Sequence, residues 1–309
     1  MGEPRGLFSF NHHGFDPNAR CLARKPEQAS RPKWPRCTEN RERHLSRLSL
    51  REVGATVSGE DTLMKRTIIV GASSGIGAEL ARQLAAKQHQ LILLARSRDK
   101  IEALAAELRE KYGPLAAEAV VHDVTHTDTT PALFVSLVEK LGTLDWLVYN
   151  SGVLYEPGPE DYGVHQDLEV IDVNLRGAIP WLDSAASYFS KKGSGTIVGV
   201  GSVAGDRGRR KMPAYHAAKA GFATFLESLW NRLSLKGVRV VTIKPGPIDT
   251  PMTDGRMAKA KLYPVDKAVK EMICGIERGC RVVYVPGKWR LIMFIVKLIP
   301  PFIFRHLPI

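Results

Sequence analysis

Between Met64 and Gly287, short apolar runs alternate with segments whose apolar positions recur every three or four residues. The runs Thr67–Val70, Gln90–Ala95, Glu118–His122, Asp145–Tyr149, Thr196–Gly201, Val238–Ile243 and Arg281–Val285 predict strands. TIIV, LILLA and VRVVTI suit parallel strands covered on both faces. Segments between them, such as Ala78–Lys87 and Arg98–Tyr112, have the spacing of amphipathic helices. A β-α-β-α succession of this kind predicts a doubly wound, parallel, seven-stranded α/β sheet with helices on both sides.

The two ends break the pattern. Residues 1–63 mix Pro, Arg, His and Asn with no sustained apolar period, and hold 11 Lys/Arg against 8 Asp/Glu. They contain no apolar core of a signal peptide, and Glu27, Glu39, Glu42 and Glu52 argue against an acid-poor transit peptide. The expectation is a disordered leader, or one absent from the protein made in the cell. Met64 stands directly before the first strand, so a start there would open MKRTIIVGASSGIG. Residues 288–309 are apolar, aromatic and basic, broken by Pro300–Pro301, with Lys288, Arg290, Lys297 and Arg305 and no acid. Two readings stand for this tail. It lies in a membrane interface with Trp289 and the cations at headgroup level, or it is buried between subunits.

The net charge of +12 raises nucleic acid and anionic membrane as partners. Nucleic acid is not expected, because the basic leader lacks interleaved aromatics and any recognised motif. No run of about 18 uninterrupted apolar residues exists, which argues against a spanning helix. The four cysteines, Cys21, Cys37, Cys274 and Cys280, form neither a disulfide framework nor a CxxC pair. They suit a reducing, cytoplasmic setting, with the tail at the inner face of the membrane as a possible addition. His122, His126 and His165 lack metal-ligand spacing, so no metal is expected. Asp249 and Asp254 read as loop caps.

Chemistry enters with the glycines. Gly71-Ala72-Ser73-Ser74-Gly75-Ile76-Gly77 follows a strand and opens a helix. Glycine lets backbone turn tightly and approach a phosphate, and the helix N-terminus offers free N–H groups to a pyrophosphate. The spacing is GxxxGxG, not the commoner GxGxxG. A carboxylate ending the second strand would bind the 2′-hydroxyl of NAD. Arg96 stands there instead and suits a 2′-phosphate, so NADP(H) is preferred, with NAD(H) as the lesser possibility. Ser73 would share that phosphate, and Asp123 would meet the adenine edge. Asn150-Ser151-Gly152 ends the fourth strand, at the sheet edge where ligands of such folds collect.

Tyr215 and Lys219 are an i, i+4 pair on one helical face. A nearby ammonium would lower the phenol pKa toward neutrality. Ser202 lies 13 residues upstream at a strand end, placed to hold a carbonyl oxygen while Tyr215 protonates it. His216, beside Tyr215, reads as structural.

Together with Asn174 and Pro245-Gly246-Pro247-Ile248-Asp249-Thr250, these residues make the sequence resemble the short-chain dehydrogenase/reductase family over residues 66 to about 287. The resemblance implies a Rossmann-type domain and a catalytic tetrad of Asn174, Ser202, Tyr215 and Lys219. Tyr215 would be the general acid or base, and Lys219 would lower its pKa and bind the nicotinamide ribose. Ser202 would orient the substrate oxygen, and Asn174 would hold a relay water. Pro245, Gly246, Ile248 and Thr250 would flank the nicotinamide. Val70 before the first glycine and Ser151 depart mildly from the family pattern.

The last hundred residues are similar to a narrower branch that includes decaprenylphosphoryl-2-keto-ribose reductase. That likeness implies a lipid-linked keto-sugar, or another hydrophobic ketone, as substrate. Arg207, Arg209, Arg210 and Lys211 would meet a phosphate or an anionic membrane near the site; the alternative is a solvated loop. Arg96 departs from that branch. The apolar positions in Phe222–Leu229 suggest a helix that pairs with its twin in a homodimer or homotetramer. The function expected is NAD(P)H-dependent interconversion of a carbonyl and an alcohol. The alternative is a non-catalytic NADPH-binding sensor.

Overall fold

The computed structural model describes residues 64–156, 162–255, 258 and 261–307. The leader lies outside them, as do residues 157–161 within the Gly152–His165 segment expected to shape substrate choice.

Seven strands form one sheet: β1 (Arg66–Val70), β2 (Gln90–Ala95), β3 (Ala117–Val121), β4 (Trp146–Tyr149), β5 (Gly195–Val200), β6 (Val238–Pro245) and β7 (Val282–Val285). Their order is β3-β2-β1-β4-β5-β6-β7, and every pairing is parallel. The helices α1 (Gly75–Ala86), α2 (Arg98–Tyr112) and α7 (Val265–Glu277) supply one covering layer. The other consists of α3 (Thr130–Leu141), α5 (Ala178–Lys192) and α6 (Pro213–Leu233). The short α4 (Val164–Ile171) packs on α6.

The apolar strands earn their continuous hydrophobicity through the two-residue alternation of the pleat. Ile69, Leu93, Val148 and Val241 enter the α1–α2–α7 core, whereas Ile68, Ile92, Leu147 and Val240 enter the opposite one. The expected sheet is therefore the observed one. β6 runs two residues further than expected because Lys244 and Pro245 still pair with Tyr284 and Val285.

Three features of the sequence take a definite place in the fold. In α6, Phe222, Leu226 and Leu229 are buried in the chain's own core. Trp289 is partly buried. It opens α8 (Trp289–Leu298) with its indole against Gly246, where an added β-carbon would lie 2.0 Å from Nε1. The arginines after Ser202 are neither a solvated loop nor wholly outward. Arg207 donates to the Val296 carbonyl and stacks 3.8 Å over the Phe304 ring, and Arg210 donates to the Arg305 carbonyl at 3.0 Å. They fasten α8 and α9 (Pro301–Phe304) to the body of the fold.

Candidate active site

The strand order reverses between β1 and β4, which opens a crevice at their carboxyl ends. A cleft of about 480 Å³ occupies it, extending along the ends of β2, β5 and β6.

Gly71 begins its rim at φ +90°, and a β-carbon there would sit 2.5 Å from the Ser151 nitrogen. Only glycine fits that turn. Asn150 Nδ2 donates to the Gly71 carbonyl at 2.7 Å and clamps the loop to β4. Gly71, Ser73, Ser74, Gly75 and Ile76 all line the cleft. Gly77 does not. Its place is packing, since a β-carbon would come 2.0 Å from the Gly71 oxygen and push α1 off the loop. Ser74 is the N-cap of α1 and makes no side-chain cap bond. The first turn carries no acid, which leaves its N–H groups and positive dipole end for an anion.

Arg96 lines the cleft beyond this loop, with its side chain half exposed. Asp123 lies 3.8 Å from it but does not reach the cleft. Its Oδ1 accepts from the Thr125 amide and hydroxyl, both at 2.9 Å, and its Oδ2 faces Arg96. The aspartate thus closes a turn after β3, and His122 and Val124 line the place expected for it.

Deeper in the cleft, Ser202, Tyr215 and Lys219 come together with Asn150 and Gly152. Ser202 lies two residues past β5 and accepts from the Ala204 amide at 3.1 Å. His216 Nδ1 bonds the Ala204 carbonyl at 2.7 Å, so it ties the start of α6 to the turn that carries Ser202. That is the structural role expected of it. Lys219 is buried, donates to the Val200 carbonyl at 3.2 Å, and lies 5.8 Å from the centre of the Tyr215 ring. Burial lowers its ammonium pKa to about 8. Tyr215 differs from expectation, because burial raises its pKa and the facing Ser202 hydroxyl only partly offsets this. At this separation the ammonium does not overcome the loss of water around the phenol.

Asn174 is buried in a single π turn, Asp172–Arg176. Its Oδ1 accepts from the Val153 amide at 2.7 Å, and its Nδ2 donates to the Val153 carbonyl at 2.9 Å. The side chain thus holds the segment after β4 in place and does not line the cleft. Pro245, Gly246, Ile248 and Thr250 line the side opposite the glycine loop.

The family described as short chain dehydrogenase matches residues 65–261. The chain belongs to the short-chain dehydrogenase family. It is similar to an uncharacterised oxidoreductase of Mycobacterium tuberculosis, 31% identical over 246 residues, covering 78% of this chain and 96% of that one. An uncharacterised oxidoreductase of Staphylococcus epidermidis is 31% identical over 191 residues, 62% of this chain and 81% of its own. Among solved structures, a short-chain dehydrogenase from Sphingobium yanoikuyae in complex with NADPH aligns with a TM-score of 0.67 and 27% identity. The alignment covers 77% of this chain and 97% of that one. The chemistry of this short-chain dehydrogenase is oxidoreduction.

Several residues of the site had no signal in the sequence. Met212 lines the cleft with φ +58°, unusual for a side chain with a β-carbon. Asp206 is buried between Lys244 and Tyr284, accepting from both, with Tyr284 at 2.8 Å. This trio joins the turn after Ser202 to β6 and β7 just before Pro245. No spacing rule links positions 206, 244 and 284.

Proposed function

We propose that this short-chain dehydrogenase reduces a carbonyl to an alcohol, or runs the reverse, with NADP(H) in preference to NAD(H). The observation that carries the reading is the convergence of Ser202, Tyr215 and Lys219 in one cleft with an uncapped helix N-terminus. The residues present suit that cofactor. Gly71 leaves a cradle that a β-carbon would fill, the α1 N–H groups have no side-chain cap, and Arg96 is half exposed beside them. These suit a pyrophosphate and a 2′-phosphate, and no carboxylate ends β2 to select a free 2′-hydroxyl. Pro245, Gly246, Ile248 and Thr250 would then face the nicotinamide.

When bound, the reduced nicotinamide supplies a hydride to the carbonyl carbon. The chain's own residues hold the oxygen and move the proton. Ser202 donates a hydrogen bond to the carbonyl oxygen, and Tyr215 gives it the phenolic proton. Lys219 stabilises the phenolate left behind, a task that its desolvated ammonium performs more strongly than it would in water. Asn174 acts through Val153 as a positioning residue.

We infer a hydrophobic ketone as substrate, lipid-linked keto-sugars included. The support is the tail: Leu291, Phe294, Ile295, Leu298, Phe302 and Ile303 are exposed on α8 and α9. The exposed cations Lys288, Arg290 and Lys297 flank them, with no acid after Val285. A second copy of the same face would bring like charges together, whereas an anionic lipid surface complements them. No described helix is long and apolar enough to cross a membrane. The compartment we infer is the cytoplasm, with this tail on the inner face of the membrane.

Tyr215→Phe tests the reading. Turnover of ketones with NADPH should fall at least a thousand-fold, on the order of a lost general acid, while NADPH titration by nicotinamide fluorescence stays near wild type. A wild-type protein that binds NADPH and reduces no ketone would make it a sensor.

A further inference from the structure

The turn that begins at Ser202 is held along its whole length. Ser202 is the N-cap of the 3-10 turn Val203–Asp206, and its Oγ accepts from the Ala204 amide. The Ala204 carbonyl bonds His216 Nδ1 at 2.7 Å. A β-carbon on Gly205 would lie 2.6 Å from the Lys219 carbonyl oxygen, so the middle of the turn rests directly on α6. Asp206 closes the turn. Its Oδ1 accepts from Lys244 Nζ in β6, and its Oδ2 accepts from the Tyr284 hydroxyl in β7 at 2.8 Å. The side chain of Asp206 is 2% exposed and that of Lys244 14%. None of the three lines the cleft.

A buried ion pair is a weak source of stability, because taking two charges out of water costs about as much as their attraction returns. Apolar side chains of the same volume would serve packing equally well. What they lack is direction. A carboxylate gripped by donors on two fixed strands has one position, whereas apolar surfaces slide over one another. We propose that Asp206 is a positioning residue for the reaction. Clamped by Lys244 and Tyr284, it fixes the turn, and with it the Ser202 hydroxyl, against Tyr215 on α6. Lys244 immediately precedes Pro245 and Gly246, so the same clamp sets Ser202 against the wall of the cleft opposite the glycine loop. Asp206 stands four positions after Ser202, in a turn that rises about 2 Å per residue, so a slip at the carboxylate moves the hydroxyl. A misplacement of about 1 Å at a reacting group lowers a rate on the order of a hundred-fold. The inference rests on the reductase reading of the cleft.

The experiment replaces the polar trio by an apolar one in the full chain. Asp206→Leu/Lys244→Met/Tyr284→Phe removes every partner together, so its melting temperature should stay near wild type. Its kcat for ketone reduction with NADPH should fall on the order of a hundred-fold, while the ketone KM and the NADPH dissociation constant hardly move. Ser202→Ala shows how that loss arises. In a Ser202→Ala background the same three substitutions should lower kcat by no more than about two-fold, because a hydroxyl that is absent cannot be misplaced. A general loosening of the fold would lower kcat by the same factor in both backgrounds. Tyr284→Phe alone keeps the ion pair, and it gives the same comparison if the triple variant does not fold: a several-fold loss of kcat that depends on Ser202. A further readout needs no turnover. In hydrogen–deuterium exchange the amides of residues 203–206 should exchange faster in the variant, with those of β4 unchanged. A wild type that reduces no ketone would sink the reductase reading, and exchange alone would then decide the clamp: faster exchange in the turn upholds it and unchanged exchange overturns it. Wild-type kcat in the variant, or equal losses with and without Ser202, would overturn the inference.

Discussion

Lys219→Met should make the protein more stable at pH 7 while it destroys activity. Lys219 is 5% exposed, and its burial lowers the ammonium pKa from 10.5 to about 8. That shift corresponds to about 3 kcal/mol disfavouring the folded state at low pH. The substitution also removes the bond to the Val200 carbonyl, which contributes about 1 kcal/mol. The contacts of the ammonium with the Phe222 and Tyr215 rings act on the charged form alone and are already contained in that shift. The variant should therefore gain about 2 kcal/mol at pH 7. The sign reverses with pH. Between about 8 and 10.5 the unfolded chain binds a proton that the folded chain lacks, so wild-type stability rises with pH relative to the variant. Above this window the amine is neutral in both states, and only the lost hydrogen bond counts against the variant. Urea unfolding of both proteins at pH 7 and near pH 10.5 measures the two differences, and titrations of other groups cancel between them. A pH-independent difference, or a variant weaker at pH 7 than at pH 10.5, would refute the desolvated ammonium.

Arg96→Ala should weaken NADPH on the order of ten-fold and leave NADH nearly unchanged; equal losses in a fluorescence titration would remove the 2′-phosphate role. Phe294→Glu, at a site 58% exposed, should abolish sedimentation with phosphatidylglycerol vesicles and leave the thermal midpoint within a few degrees. Unchanged vesicle binding would rule out the tail as the docking face. Gly246→Ala should destabilise the protein by about 1–3 kcal/mol, because its β-carbon would meet the Trp289 indole at 2.0 Å. The melting temperature and ketone turnover should fall together, since Gly246 also lines the cleft; a melting temperature equal to wild type would show that the indole moves freely.

The sheet was legible because its causes are local. A strand buried on both faces must be apolar at successive positions, so TIIV and LILLA declare themselves without knowledge of their neighbours. The glycine loop was legible for a similar reason, since a turn at φ +90° against Ser151 excludes any β-carbon at Gly71. Tyr215 and Lys219 follow from one turn of helix, and Ser202 from its place at a strand end.

What the sequence could not settle depends on partners remote along the chain. Asp123 offers a carboxylate after β3, and only the fold shows that Oδ1 is held by Thr125 while Oδ2 faces Arg96. Asn174 was named as a site residue, yet only the π turn and Val153 reveal that both ends of its amide are engaged. Phe222, Leu226 and Leu229 have the same letters whether they meet a core or a twin, and the fold buries these three in the chain's own core. Trp289 was drawn inward by a glycine 43 positions earlier. The arginines after Ser202 look alike in sequence. Their partners lie 84 to 95 residues away, and the tail's carbonyls take Arg207 and Arg210 while a sulfur leaves Arg209 to the cleft. Period and backbone sterics act within a few residues and are written in the sequence. The direction of a charge is set by whichever acceptor the folded chain brings within about 3 Å, and only the tertiary structure decides that.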